Sequence, residues 1–311
     1  RLSIVIAGKS DAHSLETTLV SVLENRPADF EVIVALAHPY EDLYHLAGEV
    51  QFLAAGPHAS WEACANAGVA RSAANVVHLL TSGAQVTEGW AEWALAHFAD
   101  GHVAAVAPLV RCPRSPADAS LGVQYHRGGR RRIVPPSPNA CTPADVLGPC
   151  DAAGFYRRQA LELAGGFCPA IPGTSDVDVA LNLARLGYHA VAEPRSIVLA
   201  PATPPPHCSA FYQGLASERV FWRHADWQGW SSSLAAHALV TLAEGLTAVV
   251  RPSHFARLAG RLVGLIESPR WRSFHRSRQL QAEEAACARL QAGAQAASRG
   301  PNQSVKARRA A

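Results

Sequence analysis

Along the first two hundred residues, short apolar runs alternate with amphipathic stretches, and Gly, Pro, Asp and Ser punctuate the joins. The runs at 3–7, 30–36, 50–53, 76–80 and 103–109 are rich in Val, Ile, Leu and Ala and read as strands buried on both faces. Between the first two, Leu15, Leu19, Val22 and Leu23 recur at helical spacing, which predicts a helix over 14–24. Residues 60–72 predict a second helix, with Ser60 as N-cap and Glu62 in its first turn. Residues 90–98 predict a third. The stretch 111–150 is rich in Pro, Gly and Arg, and Pro135-Pro-Ser-Pro138 blocks regular structure, so a loop or short hairpin is expected there. After it, 152–158 reads as a strand running into a helix, Gly165-Gly166-Phe167 as the turn that ends it, and 175–186 as a further helix. Strand-like pieces follow at 190–192 and 197–199. Beyond Pro204-Pro-Pro206 the pattern becomes helical, over 211–223, 234–250, 254–266 and 276–297.

Strands that alternate with helices form a mainly parallel sheet through right-handed crossovers, and such sheets bind ligands at the carboxyl ends of their strands. The expected architecture is α/β and Rossmann-like: a sheet domain over 1–203, a helical C-terminal region over 208–298, and a basic, disordered tail over 299–311. Residues 7–10, 36–38 and 81–83 converge on one crevice in this scheme.

The 311 residues are 49% hydrophobic and 17% charged, as in an ordinary folded protein. The net charge is only +3, yet nearly all cations are Arg, concentrated at Arg130-Arg131-Arg132 and between Arg251 and Arg278. Such clusters suit phosphate groups or an anionic membrane surface, and no recognition module for nucleic acid accompanies them. Seven Cys, with no Cys-x-x-Cys pair, argue against a disulfide framework or structural zinc and for a reducing cytoplasm. The longest apolar run, 234–250, is interrupted by His237 and Glu244 and is too short to span a bilayer. No Gly-x-Gly-x-x-Gly or Walker-type loop is present, which disfavours a dinucleotide dehydrogenase or an NTPase.

Chemistry concentrates in Thr174-Ser-Asp-Val-Asp178, where Asp176 and Asp178 stand at the mouth of a helix. A carboxylate there can serve as a general base, or simply complement the helix terminus. In order along the chain stand Leu2-Ser-Ile-Val-Ile6, Asn66-Ala-Gly68, Val86-x-x-Gly89-Trp90, Arg157-Arg158, Gly165-Gly166-Phe167, Asp176-Val-Asp178 and Gly187-Tyr188. This ordered set resembles the family 2 glycosyltransferases, enzymes of the GT-A fold. The resemblance implies inverting transfer of a sugar from a nucleotide-diphosphate donor to a glycan or lipid-linked acceptor. It implies Asp176 as catalytic base and Asp178 on the acceptor side. Ala7, Gly8, Leu36, Thr81, Ser82, Gly83, Arg157 and Arg158 fall on the donor side.

The family usually holds a divalent cation, Mn or Mg, on an Asp-x-Asp after the fourth strand, but here those positions are Thr81 and Gly83. The usual carboxylate pair after the second strand is replaced by Leu36 and Ala37. The late metal-binding histidine would fall near Ala200, with His207 the nearest. No metal ligand is therefore assigned. Two expectations follow: an enzyme in which arginines such as Arg157, Arg158 or Arg71 stabilise the diphosphate, or an inactive relative that binds a glycan, a nucleotide or a protein. Phe211, Tyr212, Phe221, Trp222, Trp227 and Trp230 lie among Arg219 and Arg223. They suit peripheral contact with the inner face of a membrane, or packing of the helical region onto the sheet domain.

Overall fold

The computed structural model describes residues 1–8, 11–136, 144–200, 209–226, 229–248 and 252–269. The sheet domain begins β1 (Leu2–Gly8), α1 (Ala12–Glu24), β2 (Phe30–Leu36), β3 (Val50–Ala54), α2 (Trp61–Arg71), β4 (Val76–Thr81) and β5 (Gln85–Val86). It continues with α3 (Trp90–Ala96), β6 (Val103–Arg111), a hairpin of β7 (Val123–His126) and β8 (Arg130–Ile133), and β9 (Ala144–Val146). The elements β10 (Ala153–Arg157), α4 (Arg158–Leu163), α5 (Ser175–Arg185) and β11 (His189–Leu199) complete it. Three helices follow: α6 (Ala210–His224), α7 (Trp230–Ala248) and α8 (Pro252–Ile266).

The central sheet runs β3-β2-β1-β4-β10-β6-β11-β5, with β9 paired to β11 off this path. β1, β2, β3 and β4 are mutually parallel, as are β6 and β11, while β10 enters antiparallel between β4 and β6. That reversal sits within the mainly parallel sheet expected, and β11 merges the two short strands expected at 190–192 and 197–199, with a register shift between Glu193 and Ile197. The alternation in β1 fixes the layers. Leu2, Ile4 and Ile6 pack with Leu15, Leu19 and Val22 of α1; Val5 and Ala7 pack on the other face with Cys64, Ala65 and Val69 of α2. Asp11 caps α1 by accepting from the Ser14 amide, and Ser60 caps α2 by accepting from Ala63.

Two of the sequence landmarks turn out to be halves of one clasp. The Asn66 amide donates to the Phe167 carbonyl at 2.8 Å, and its oxygen accepts from the Phe167 amide at 2.9 Å. The chain reaches that clasp through Gly165 and Gly166, both at positive φ (84° and 66°), a turn that β-carbons would resist.

The C-terminal helices pack through a close crossing of α6 and α8. A β-carbon at Gly214 would run into the Arg257 backbone, and one at Gly260 into the Phe211 carbonyl. Their interior is polar: Arg261 pairs with Glu244 at 2.7 Å and Glu218 at 3.2 Å, and His237 bridges Glu218 and the Gly128 carbonyl at the β7–β8 turn. Thus the hairpin is anchored to the helical region as well as to the sheet. The expected helix over 276–297, the tail and the Pro204–Pro206 boundary lie outside the described residues.

Candidate active site

The carboxyl ends of β1, β2 and β4 come together as the crossover pattern requires, and their contacts are made by backbone and neutral side chains. The Ser82 amide donates to the Ala7 carbonyl, and its hydroxyl lies against Gly8; the Gly83 amide donates to the Thr18 hydroxyl at 2.8 Å. Ala7 and Leu36 are buried. Ser10, expected at this crevice, lies outside the described residues.

Beside this edge stands a cluster built by four elements. Asp176, in the first turn of α5, is fully buried at its side chain, and both its oxygens accept from Arg131 of β8, at 3.0 Å from Nε and 2.5 Å from Nη2. The Val177 amide also donates to Asp176 Oδ1. Ser175 donates to Glu62 of α2 at 3.2 Å and makes a longer 3.4 Å contact to Asp151, just before β10. Asp151 sits at the same sheet edge as Thr81, whose amide donates to the Ala152 carbonyl. Burial, then the charge of Asp176, push the Asp151 carboxyl well above the usual carboxylate range, and Arg131 only partly offsets them. Burial and the neighbouring carboxylates also raise the Tyr156 phenol.

The sequence reading missed Asp151, Arg131 and Glu62 as site members. Asp151 stands just before β10, and only the antiparallel entry of β10 brings it to the Thr81 edge. Alternation along β8 puts Arg131 on the opposite side from Arg130 and Arg132, and it is Arg131 that pairs with Asp176.

Four expected site residues are corrected by position. Arg157 pairs with Val76, at the start of β4, whereas Thr81 is at its end; five residues of strand separate them, roughly 17 Å. Arg157 spends its guanidinium on the Phe98, Asp100 and Val103 carbonyls. Arg158 donates to the Ala74 carbonyl and pairs with Glu162 at 3.0 Å, and Arg71 ends α2 at the same far edge. None of the three faces the crevice. Asp178 is likewise turned away: its carboxylate meets His224 at 2.9 Å and Arg223 at 3.0 Å, where it ties α5 to α6 instead of facing an acceptor.

The fold is GT-A. Among solved structures, the chain is similar to GalNAc-T7 solved with UDP, GalNAc and Mn2+, at TM-score 0.57 and 14% identity, with 74% of this chain and 48% of that chain covered. It is also similar to the mannosyltransferase PcManGT of Pyrobaculum calidifontis solved with GDP-Man and Mn2+, at TM-score 0.54 and 16% identity over 85% and 87% of the two chains. Residues 1–349 of TarS from S. aureus align at TM-score 0.59 and 11% identity over 91% and 88%. The chain thus spans about half the length of GalNAc-T7. No protein-family model and no curated protein sequence matches it.

Two of these neighbours were solved with manganese, so the donor set here is worth testing against a divalent cation. Hard cations prefer several oxygen ligands, carboxylates foremost. Thr81 and Gly83 offer one hydroxyl between them, the Ser82 hydroxyl is turned into Gly8, and among the described residues no group of three His, Cys, Asp or Glu side chains is placed to hold a metal ion. His207 lies outside the described residues. The residues described do not fit the cation.

Proposed function

We propose that the chain is a glycosyltransferase of the family 2 type that moves a sugar from a nucleoside-diphosphate donor to an acceptor hydroxyl with inversion. The observation that carries the reading is the seating of Asp176 at the head of α5, beside the carboxyl ends of β1 and β4, in a GT-A fold. In the step, the acceptor oxygen attacks the anomeric carbon and its proton passes to Asp176. The bond from that carbon to the diphosphate oxygen breaks, and its electron pair leaves with the nucleoside diphosphate. The donor lies along Ala7, Gly8, Leu36 and Thr81-Ser82-Gly83, where backbone groups can meet it.

Arg131 gives the mechanism its charge control. While it grips both oxygens of Asp176, the base is closed. A swing toward the leaving diphosphate opens Asp176 and places a guanidinium where negative charge develops, so one movement serves both needs. Arg131 takes over the part that the sequence suggested for Arg157 and Arg158.

That same grip favours a second reading, an inactive relative that binds a nucleotide, a glycan or a protein and keeps Asp176 as a structural ion pair. Turnover separates the two. A screen of UDP- and GDP-sugars for donor cleavage should give activity in the unmodified protein, lost in Asp176→Asn with nucleotide binding retained. Nucleotide binding with no turnover of any donor would select the inactive reading.

The acceptor-side setting belongs to the same proposal. The described parts of α7 and α8 expose Leu239, Leu242, Leu246, Phe255, Leu262 and Ile266, an apolar face suited to a lipid surface that carries the acceptor. Among the described residues no helix is long and apolar enough to cross a membrane.

A further inference from the structure

Against Arg131 lies a cleft of about 230 Å³, walled by the β7–β8 turn, by Gly173 and Thr174 ahead of α5, and by α6, α7 and α8. No residue of β1, β2 or β4 lines it. Its charge is lopsided: Arg130, Arg131, Arg257 and Arg261 face it against Glu244. Arg131 is matched by Asp176, and Arg261 by Glu218 and Glu244. Arg130 and Arg257 have no carboxylate partner among the described residues. Arg257 donates from Nη2 to the Gln213 side-chain oxygen at 3.2 Å, while its buried Nε–H meets no acceptor among the described residues. A guanidinium cannot shed its proton, so a buried N–H without an acceptor is costly unless an anion meets it.

We infer that this cleft binds a phosphate group carried by the acceptor, held by Arg130 and Arg257. Two uncompensated guanidinium charges match a phosphate monoester or a diphosphate better than a single carboxylate, and the planar fork of Arg suits phosphate oxygens. The inference rests on the proposed transfer reaction and names its acceptor class. The cleft reaches Arg131 and Thr174, so an acceptor anchored there presents its hydroxyl next to Asp176, opposite the donor. Asp176 then lies between two anion sites of different construction, a neutral donor edge and a cationic acceptor cleft. The helical region supplies Gln213, Glu244, Arg257 and Arg261 to this wall, which gives it a part in substrate choice besides packing.

The test is calorimetric titration of the full chain with inorganic phosphate, with and without saturating UDP or GDP, on the unmodified protein, on Arg257→Gln and on Arg130→Gln. Arg130 is exposed, so its substitution leaves the fold intact even if that of Arg257 does not. Phosphate should bind alongside the nucleotide, and each substitution should weaken it by about tenfold with nucleotide affinity unchanged. Flotation with phosphatidic acid vesicles, against phosphatidylcholine alone, separates the sources. Recovery that falls in Arg130→Gln assigns the phosphate to a lipid-linked acceptor, and equal recovery assigns it to a soluble one. Nucleotide binding without phosphate binding at millimolar concentration, or phosphate binding that ignores both substitutions, overturns the inference. Arginine-dependent phosphate binding without any nucleotide binding leaves the cleft standing and removes the transferase reading.

Discussion

Asp176 and Asp178 sit two residues apart on one helix and meet opposite surroundings. Two steps along an α-helix turn the side chain by about 200°, so the pair cannot share a face. Asp176 looks to the sheet edge and is held by Arg131 from a hairpin; Asp178 looks to α6 and is held by Arg223 and His224. Both are buried carboxylates in arginine pairs, yet one belongs to a hinge between site and hairpin and the other to the joint between domain and appendage. Burial and pairing alone therefore do not mark a catalytic carboxylate. What distinguishes Asp176 is its company, since Asp151, Glu62 and Ser175 stand around it beside the Thr81 end of β4.

Substitution should split the pair sharply. Asp176→Asn is expected to lower turnover by about 10²–10⁴-fold, as loss of a general base does, while the amide oxygen still accepts from Arg131 and the fold survives. Urea unfolding and turnover measured on one preparation check both halves. Asp178→Ala should do the reverse. It removes the buried carboxylate paired with Arg223 and His224 and is expected to cost about 3–5 kcal/mol of stability, read as a lower urea midpoint. Substantial activity in the folded fraction would confirm that Asp178 has no acceptor role.

Asp151 sharpens the comparison through pH. Its carboxyl is raised in the folded protein, by burial first and Asp176 second, so its contribution to stability is complete at pH below the ordinary carboxylate range. That contribution is lost as pH rises through the folded value. Asp151→Asn should flatten this decline, and urea midpoints taken from pH 4 to pH 8 would show the unmodified protein falling relative to the variant. A smaller effect of opposite sign is expected at Glu193 of β11. Burial alone would raise its carboxyl, but hydrogen bonds from Arg195 and His97 outweigh it and hold it at about 2. Glu193→Gln should cost about 1 kcal/mol at neutral pH. The difference from the unmodified protein should shrink as pH falls from the ordinary value of 4.5 toward 2.

How much of this was legible in the residues follows from the range of the interactions. Strands buried on both faces announce themselves as continuous apolar runs, so β1, β2, β4 and β6 are readable from the chain alone. The three-residue β9 and the two-residue β5 carry no periodicity to read; pairing with β11 makes them strands. Helical phase already implied that Asp176 and Asp178 face apart, although which of them faced the site did not follow. The Arg131 clamp joins residues 45 positions apart, and no local pattern specifies which arginine of a run will turn inward until the hairpin register is known. Arg157 and Arg158 misled for a related reason. They stand at the end of a strand, but β10 runs antiparallel to β4, so its carboxyl end lies at the edge opposite Thr81.

The neutral donor edge is the central claim, and calorimetric titration with UDP and GDP, each with and without manganese, tests it most directly. One of the two should bind with an affinity that manganese leaves unchanged. Binding that appears or strengthens with manganese would contradict the account, because it would require a cation site that Thr81, Ser82 and Gly83 do not provide.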